Sequence, residues 1–237
     1  MKALVIIPTY NERPNIGGIV GDVLAQSDKV DVLIVDDNSS DGSGDLADSM
    51  AASNPRVRVL HRPGKLGLGS AYIEGFRYAL GSGYDCVFEM DADYSHDPRE
   101  IPAFLRALED SDVVVGSRYI GGVRILNWPI KRLMLSYSAS IYTRLITGLR
   151  LIDCTSGFKC FRREVLEALD LDRVHSDGYS FQIEINFLCQ KRGFRMTEIP
   201  IVFTERKQGR SKMNRGIILE ALFIVWLLKV KSILGLL

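Results

Sequence analysis

Paired cysteines, charge of one sign and long apolar runs are what this 237-residue chain lacks. Its four cysteines are Cys86, Cys154, Cys160 and Cys189. None forms a C-x-x-C pair, and no histidine stands near them at zinc-finger spacing. A disulfide miniprotein is excluded, and the thiols read as reduced in a cytosolic protein. Thirty Lys+Arg against 29 Asp+Glu leave a net charge of +1. That balance gives no reason to expect a nucleic-acid partner. The apolar opening, residues 2–7, is too short for a secretory h-region, and Pro8, Asn11 and Glu12 follow at once. The uninterrupted apolar run at residues 221–228 falls far short of the roughly 20 residues a spanning helix needs. There is no internal repeat and no low-complexity tract. Hydrophobic residues at 46% and charged residues at 25% exclude disorder and collagen-like order.

What is present begins with an alternation of strand and helix. A short continuous apolar run at residues 3–8 reads as a buried parallel strand, and residues 30–35, 56–60, 86–90 and 113–116 read as further strands. Helical periodicity at 14–25, 45–52, 68–80 and 98–108 separates them. Such alternation predicts an α/β domain, a mainly parallel central sheet flanked by helices. In these sheets ligands bind beyond the carboxyl ends of the strands, near the switch in strand order. The second half is less regular. It predicts an amphipathic helix at 129–149, a strand at 157–161, helices at 164–169 and 181–191, and a strand region at 194–203 interrupted by Pro200. The domain is expected to run over residues 1–215. An apolar C-terminal helix follows over 216–237, lying on a membrane or docking on a membrane-embedded partner, or else packed on its own domain.

Charge is unevenly spread. Residues 113–152 hold no Asp or Glu but carry Arg118, Arg124, Lys131, Arg132, Arg144 and Arg150, a local +6 that leaves −5 for the rest. A second basic cluster comprises Arg206, Lys207, Arg210, Lys212 and Arg215. A single run of this kind is as often a solvated surface. Two in a neutral protein point to phosphate ligands or an anionic membrane surface.

Carboxylates cluster at three strand ends: Glu12, Asp36-Asp37, and Asp91-Ala92-Asp93. Two carboxylates one residue apart, just past a buried strand, can face one hard cation. Mg²⁺ or Mn²⁺ takes oxygen ligands and commonly needs only one or two carboxylates plus substrate phosphates. A carboxylate at Asp37 can accept N–H bonds from a nucleobase edge or bond a ribose hydroxyl, whereas a turn role suits Asp41 better. The glycines at 64, 67 and 69 lack the spacing of a P-loop or a dinucleotide fingerprint, and are expected to shape a loop beside a nucleotide. His96 could line the site; His61 and His175 suggest no ligand set. Glu184 could be a base or orient a cation.

The motifs V-x-I-P-T-Y-N-E at residues 5–12, I-V-D-D-N-S-x-D-G at 34–42 and M-D-A-D-x-S-H at 90–96 resemble family 2 glycosyltransferases of the GT-A fold. G-S-R-Y (116–119), N-W-P-x-x-R-x-x-x-S (127–136), T-S-G-F-K (155–159), G-Y-S-F-Q-I-E (178–184) and R-x-x-G-x-S-K (206–212) narrow the likeness to the polyprenol-phosphate (dolichol-phosphate) mannose synthases. The resemblance implies mannose transfer, with inversion, from GDP-mannose to a polyprenyl or dolichyl phosphate at the cytosolic face of a membrane. It implies contacts to the GDP end from Pro8, Tyr10, Glu12, Val35 and Asp37. It puts Asp91, Ala92 and Asp93 at the ribose, diphosphate and metal, with Ser95 where some relatives carry Gln as a further metal ligand. Arg118, Arg206 and Lys212 are implied around the phosphates, and Arg132 with Ser136 toward the acceptor phosphate. The candidate catalytic set is thus Asp91, Asp93, Arg118, Arg132 and Ser136. Many relatives carry several transmembrane helices after the catalytic domain. This chain resembles the short class, which depends on a peripheral contact or a small partner subunit. Another nucleotide sugar, UDP-glucose or UDP-GlcNAc, and a non-catalytic nucleotide-sugar-binding subunit remain as alternatives.

Overall fold

The computed structural model describes residues 1–174, 176–205 and 215–236, with the backbone alone at 215–221. Four βα steps and a fifth strand open the chain. β1 (Ala3–Thr9) leads to α1 (Arg13–Leu24), β2 (Val30–Asp36) to α2 (Ser43–Ser53), and β3 (Val57–His61) to α3 (Leu68–Gly81). β4 (Cys86–Glu89) leads through a 3₁₀ turn at Pro98–Glu100 to α4 (Ile101–Ala107), and β5 (Val113–Ser117) follows. β1 as far as Pro8, and β2 as far as Val35 apart from Asp31, are apolar because both faces of the sheet are covered: six of the seven residues of β1 and all seven of β2 are buried.

β6 (Ile125–Leu126), α5 (Ile130–Thr147), β7 (Lys159–Arg162), α6 (Arg163–Ala168), α7 (Gly178–Lys191), β8 (Met196–Pro200), β9 (Phe203–Thr204) and α8 (Arg215–Ile233) complete the described chain. Among the described residues, seven strands form one sheet in the order β3-β2-β1-β4-β7-β5-β8. β7 runs antiparallel to both β4 and β5. The other pairings in this sheet are parallel. β6 and β9 pair as a small parallel ribbon. The strand order reverses between β1 and β4, which sets the crevice expected of such sheets.

Two apolar clusters pack the sheet. One joins α3, α6, α7 and α8 to one face, and the other joins α1, α2 and α4 to the opposite face. The four cysteines are buried and free. Between the layers, β7 brings a charged pair into the core. Lys159 Nζ lies 3.5 Å from Glu89 Oε2, with both side chains fully buried. Burial pushes the Glu89 carboxyl up and the Lys159 ammonium down, each against the pull of the other.

α5 departs from the usual amphipathic arrangement. Its buried residues are Ser140, Thr143 and Thr147. Its apolar stripe, Ile130, Met134, Tyr137, Ile141 and Leu145, is exposed. α8 packs one face, through Val225 and Leu228, against the core and exposes Phe223, Trp226, Val230 and Ile233 on the other. Periodicity identified α5 as a helix but could not say which face turns inward. Among the described residues, no helix is long and apolar enough to cross a membrane.

Candidate active site

The carboxyl ends of β1, β2, β4 and β5 converge on one edge, and antiparallel β7 adds the turn that precedes it. With the start of α7 and the segment before α5 they enclose a cleft of about 320 Å³. At one end are Pro8, Tyr10, Glu12, Asp37 and Lys65, the last with its ammonium 4.6 Å from the Tyr10 ring. Asp37 Oδ1 lies 3.3 Å from Arg62 Nη1, and Asp37 Oδ2 accepts from the Leu66 N–H at 3.3 Å. Burial pushes the Asp37 carboxyl up, against the pull of Arg62. Residues 64–69 thus hang between two carboxylates, because Asp177 Oδ1 accepts from the Gly69 N–H at 2.8 Å. Gly67 has φ +104°, and a Cβ there would stand 2.7 Å from Asp177 Oδ2, so only glycine fits. Asp41 takes the turn role, accepting from Ser43 and from the Arg13 N–H.

Asp91, Ala92 and Asp93 form the middle of the cleft. The loop is shaped by Tyr94, a non-glycine residue at φ +62°. Its side chain leaves the cleft to lie against α1, where the hydroxyl donates to Asp22 Oδ2 at 3.2 Å. A Cβ at Gly18 would lie 2.3 Å from that hydroxyl. The reversal lets the Ser95 N–H donate to Asp93 Oδ1 at 3.0 Å. His96 stacks on Phe158 with centroids 5.0 Å apart, and its Nδ1 accepts from the Asp91 N–H at 3.1 Å. Burial pushes its pKa down to about 4, against the pull of Asp93, so the ring is neutral. Beneath the loop, burial and then the charges of Asp91, Glu89 and Asp93 raise the Tyr72 phenol well above its usual value.

The cationic end holds Arg118 and Arg132 with Trp128 and Phe203. Arg118 corrects the charge reading of the sequence. Its Nε and Nη2 donate to the two Asp153 carboxylate oxygens at 2.7 and 2.6 Å, and Nη2 also donates to Thr155 Oγ1 at 2.8 Å. The two charged side chains are 4% and 0% exposed. Burial opposes the Arg118 charge, but Asp153 more than offsets it and holds the guanidinium above its usual range. Arg132 Nη1 donates to Glu205 Oε1 at 2.7 Å, and its guanidinium lies 4.0 Å from the Trp128 ring. Asp153 and Glu205 both lie outside the acid-free stretch, so two of its six charges are offset by acids distant in sequence.

The cleft therefore brings together Pro8, Tyr10, Glu12, Asp37, Asp91, Ala92, Asp93, Arg118 and Arg132. Three expected residues do not line it. Val35 is fully buried within β2, where its side chain belongs to the core. Ser136 accepts a hydrogen bond from the Tyr119 hydroxyl at 2.8 Å on α5. Ser95 is 3% exposed and is absent from the cleft lining. Arg206 and Lys212 lie outside the described residues, with Lys207, Arg210 and His175. Glu184 is also away from the cleft, accepting from the Ser176 N–H at 3.3 Å. Lys65, Trp128, Thr155, Asp177, Tyr179 and Gln182 line the cleft and went unassigned in the sequence, although several stand inside its motifs.

Among the described residues, no group of three or more His, Cys, Asp or Glu is arranged to hold a metal ion. Asp91 and Asp93 offer oxygen donors only, with neutral His96 behind them. That set fits a hard dication whose remaining ligands come from substrate oxygens and water.

Residues 4–170 match glycosyl transferase family 2. The chain is a family 2 glycosyltransferase. It is 48% identical over 221 residues to an undecaprenyl-phosphate mannosyltransferase of Micrococcus luteus, covering 93% of this chain and 91% of the relative. It is 48% identical over 226 residues to a polyprenol monophosphomannose synthase of Mycolicibacterium smegmatis, covering 94% and 85%. Among solved structures, glucosyl-3-phosphoglycerate synthase of Mycobacterium tuberculosis, in complex with Mn²⁺, UDP and its product, superposes with a TM-score of 0.68 at 17% identity. That match covers all of this chain and 81% of the other. A mannosyltransferase of Pyrobaculum calidifontis in complex with GDP-Man and Mn²⁺ superposes at 0.59 with 19% identity, over 99% and 74%. These likenesses establish the GT-A fold of this family 2 glycosyltransferase.

Proposed function

We propose that this glycosyltransferase moves mannose from GDP-mannose to a polyprenyl monophosphate, with inversion at the anomeric carbon. The observation that carries the reading is the polarity of one continuous cleft, with carboxylates at its nucleotide end and middle and two arginines beside Trp128 at the other. The names of the relatives at 48% identity support the sugar and the lipid phosphate.

Asp37, Tyr10 and Lys65 would hold the guanosine, Asp37 accepting from the base or ribose. Asp91 and Asp93 would hold Mg²⁺ or Mn²⁺, which when bound offsets the charge developing on the departing diphosphate. An acceptor phosphate monoester has a second pKa of about 6, so it is already a nucleophile near pH 7. No general base is required. Its oxygen forms the new bond to the anomeric carbon while the bond to GDP breaks. Arg132, and Arg118 from its Asp153 clamp, position that phosphate, a task that suits a planar guanidinium. Arg206 and Lys212 are further candidates for phosphate contact.

The outward apolar stripe of α5, continued by Phe223, Trp226 and Ile233 of α8, supports a peripheral seat on the cytosolic membrane face or on a small embedded partner. A stripe of this length rimmed by Lys131 and Arg144 suits an anionic interface. The test is incubation of labelled GDP-mannose with polyprenyl phosphate, with and without EDTA, scoring organic-soluble label. Metal-dependent label in the lipid phase is expected. Label from UDP-glucose or UDP-GlcNAc instead overturns the donor, and nucleotide binding with no product from any lipid phosphate overturns the enzymatic reading.

A further inference from the structure

Gln182 stands on the second turn of α7, is 3% exposed and lines the same cleft as Asp93. Neither of its amide atoms makes a hydrogen bond of normal geometry. A buried primary amide left in this state is costly, about 1–3 kcal/mol per unmet group, unless a ligand completes it. The neighbours restrict what that ligand can be. Glu89 lies close enough for the amide to stabilise its carboxylate. A carboxylate only accepts, so the amide turns its nitrogen that way and keeps its carbonyl oxygen for the cleft. Residue 157 is glycine. A Cβ there would stand 3.6 Å from both Gln182 Nε2 and His96 Cε1, so its absence widens the space between these two side chains. The Thr155 hydroxyl, which also lines the cleft, accepts from Arg118.

An anion is a poor fit, because Asp91, Asp93 and Asp177 line the cleft with Gln182. A cation is served by the Asp91–Asp93 pair. A neutral polyhydroxyl group, which both donates and accepts, matches an amide that shares the cleft with the Asp91–Asp93 pair and the His96 ring. We propose that Gln182 reads one hydroxyl of the transferred sugar and so is a specificity-determining residue. This rests on the donor reading above: the sugar lies beside the Asp91–Asp93 loop because its diphosphate does. An amide explains the choice of residue type. Glu at 182 would add a fourth charge to this wall, and an apolar residue would offer the hydroxyl nothing.

The test uses the full chain, GDP-mannose and a panel of analogues each lacking one sugar hydroxyl, with polyprenyl phosphate as acceptor. For the wild type, removal of the hydroxyl that Gln182 reads should lower kcat/KM by about 10²-fold or more, since a site built around a hydroxyl rejects the analogue lacking it. In Gln182→Leu, turnover of GDP-mannose should fall by a similar factor, and the penalty at that one position should shrink to within about threefold while the other positions keep theirs. The affinity for GDP, which lacks the sugar, should stay within about twofold by calorimetry. Retention of every deoxy penalty by the variant overturns the assignment, as does a loss of GDP affinity equal to the loss of turnover, which marks a structural role. Gln182→Met, with a longer unbranched side chain, repeats the comparison should the leucine variant misfold. Absence of wild-type turnover with GDP-mannose refutes the donor instead, and the panel rebuilt on the nucleotide sugar the wild type does use then decides Gln182.

Discussion

Replacing Asp153 by Asn tests the electrostatics of the cationic end directly. The carboxylate accepts from Arg118 Nε, Nη2 and the Arg118 backbone N–H at 2.7, 2.6 and 3.0 Å, in surroundings where the two side chains are 4% and 0% exposed. Asn has nearly the same shape but no charge, and one of its two terminal atoms is a donor. Whichever way the amide is turned, a donor meets a donor. The guanidinium cannot shed its proton, so a buried cation is left without its counter-charge. Breaking a buried pair from one side costs about 3–5 kcal/mol. At roughly 2–4 °C per kcal/mol for a domain of this size, Tm should fall by about 6–20 °C. Thermal unfolding read by calorimetry, with urea unfolding alongside, measures this. Saturating GDP or pyrophosphate should raise the Tm of the variant more than that of the wild type, because an unpaired Arg118 gains more from a phosphate ligand. The double change Arg118→Met, Asp153→Leu should recover most of the lost stability though not the activity, as expected when both charges leave together. A single variant melting within 2 °C of wild type would refute the argument that this pair holds the wall of the cleft.

Four further outcomes follow from the same geometry. Asp93→Asn should weaken Mn²⁺ binding, read by electron paramagnetic resonance, and lower kcat roughly 10²–10³-fold, with the fold intact by circular dichroism. Gly75→Ala places a Cβ 2.6 Å from Ile6 Cδ1 and 2.8 Å from Ile6 Cγ2; overpacking of this kind should lower stability by about 1–3 kcal/mol in urea unfolding, with Ile6→Val restoring part of it. His61 Nε2 donates to Asp48 Oδ1 at 2.8 Å, which raises its pKa above 6.5; its stabilising contribution is therefore complete below pH 6.5 and lost as pH rises through the folded value. The ring is half exposed, so the effect should stay under about 1 kcal/mol, and an NMR titration compared with His61→Gln stability checks both sign and size. Met134→Glu with Leu145→Glu on the outward stripe of α5 should cut partitioning onto anionic vesicles roughly tenfold or more, at about 1.5–3 kcal/mol per apolar side chain removed from the interface, with unchanged Tm.

The parallel half of the sheet was legible because a strand covered on both faces is largely apolar: β1 is so as far as Pro8, and β2 departs from it before Asp36 only at Asp31. The acidic strand ends were legible because acids gather where the strands stop: Asp36 closes β2, Asp91 lies just past β4, and Glu12 lies three residues past Thr9. What remained hidden depends on partners far along the chain. Nothing near Arg118 announces Asp153, and the acid-free stretch reads as free charge until the fold brings acids to it. The direction of β7 could not be read, since Lys-Cys-Phe-Arg has no feature that distinguishes antiparallel from parallel pairing. Helical spacing in α5 identified two faces, but a face lined by Ser140, Thr143 and Thr147 turns inward only because small residues allow close approach. Tyr94 stood inside the most informative motif, yet its left-handed backbone is set by its lodging on α1 rather than by its own residue type. Gln182 carries no signal in isolation. What sets it apart is an amide buried without a normal hydrogen bond, a property of the folded surroundings and not of the residue type.

The place of β7 in the sheet has a consequence for how the polypeptide matures. Neighbours in sequence, β4 and β5, never touch along their lengths, because residues 159–162 wedge between them. A nascent chain ending anywhere before Lys159 displays the whole β4 margin as a row of unsatisfied amides, flanked by Val87 and Phe88, an invitation to pair with another molecule. Closure waits on about 70 intervening residues, a long loop for an early contact. Fragments cut at the turn before β7 should clump, whereas those extending through Arg162 should stay dispersed, a difference that light scattering on a truncation series would register.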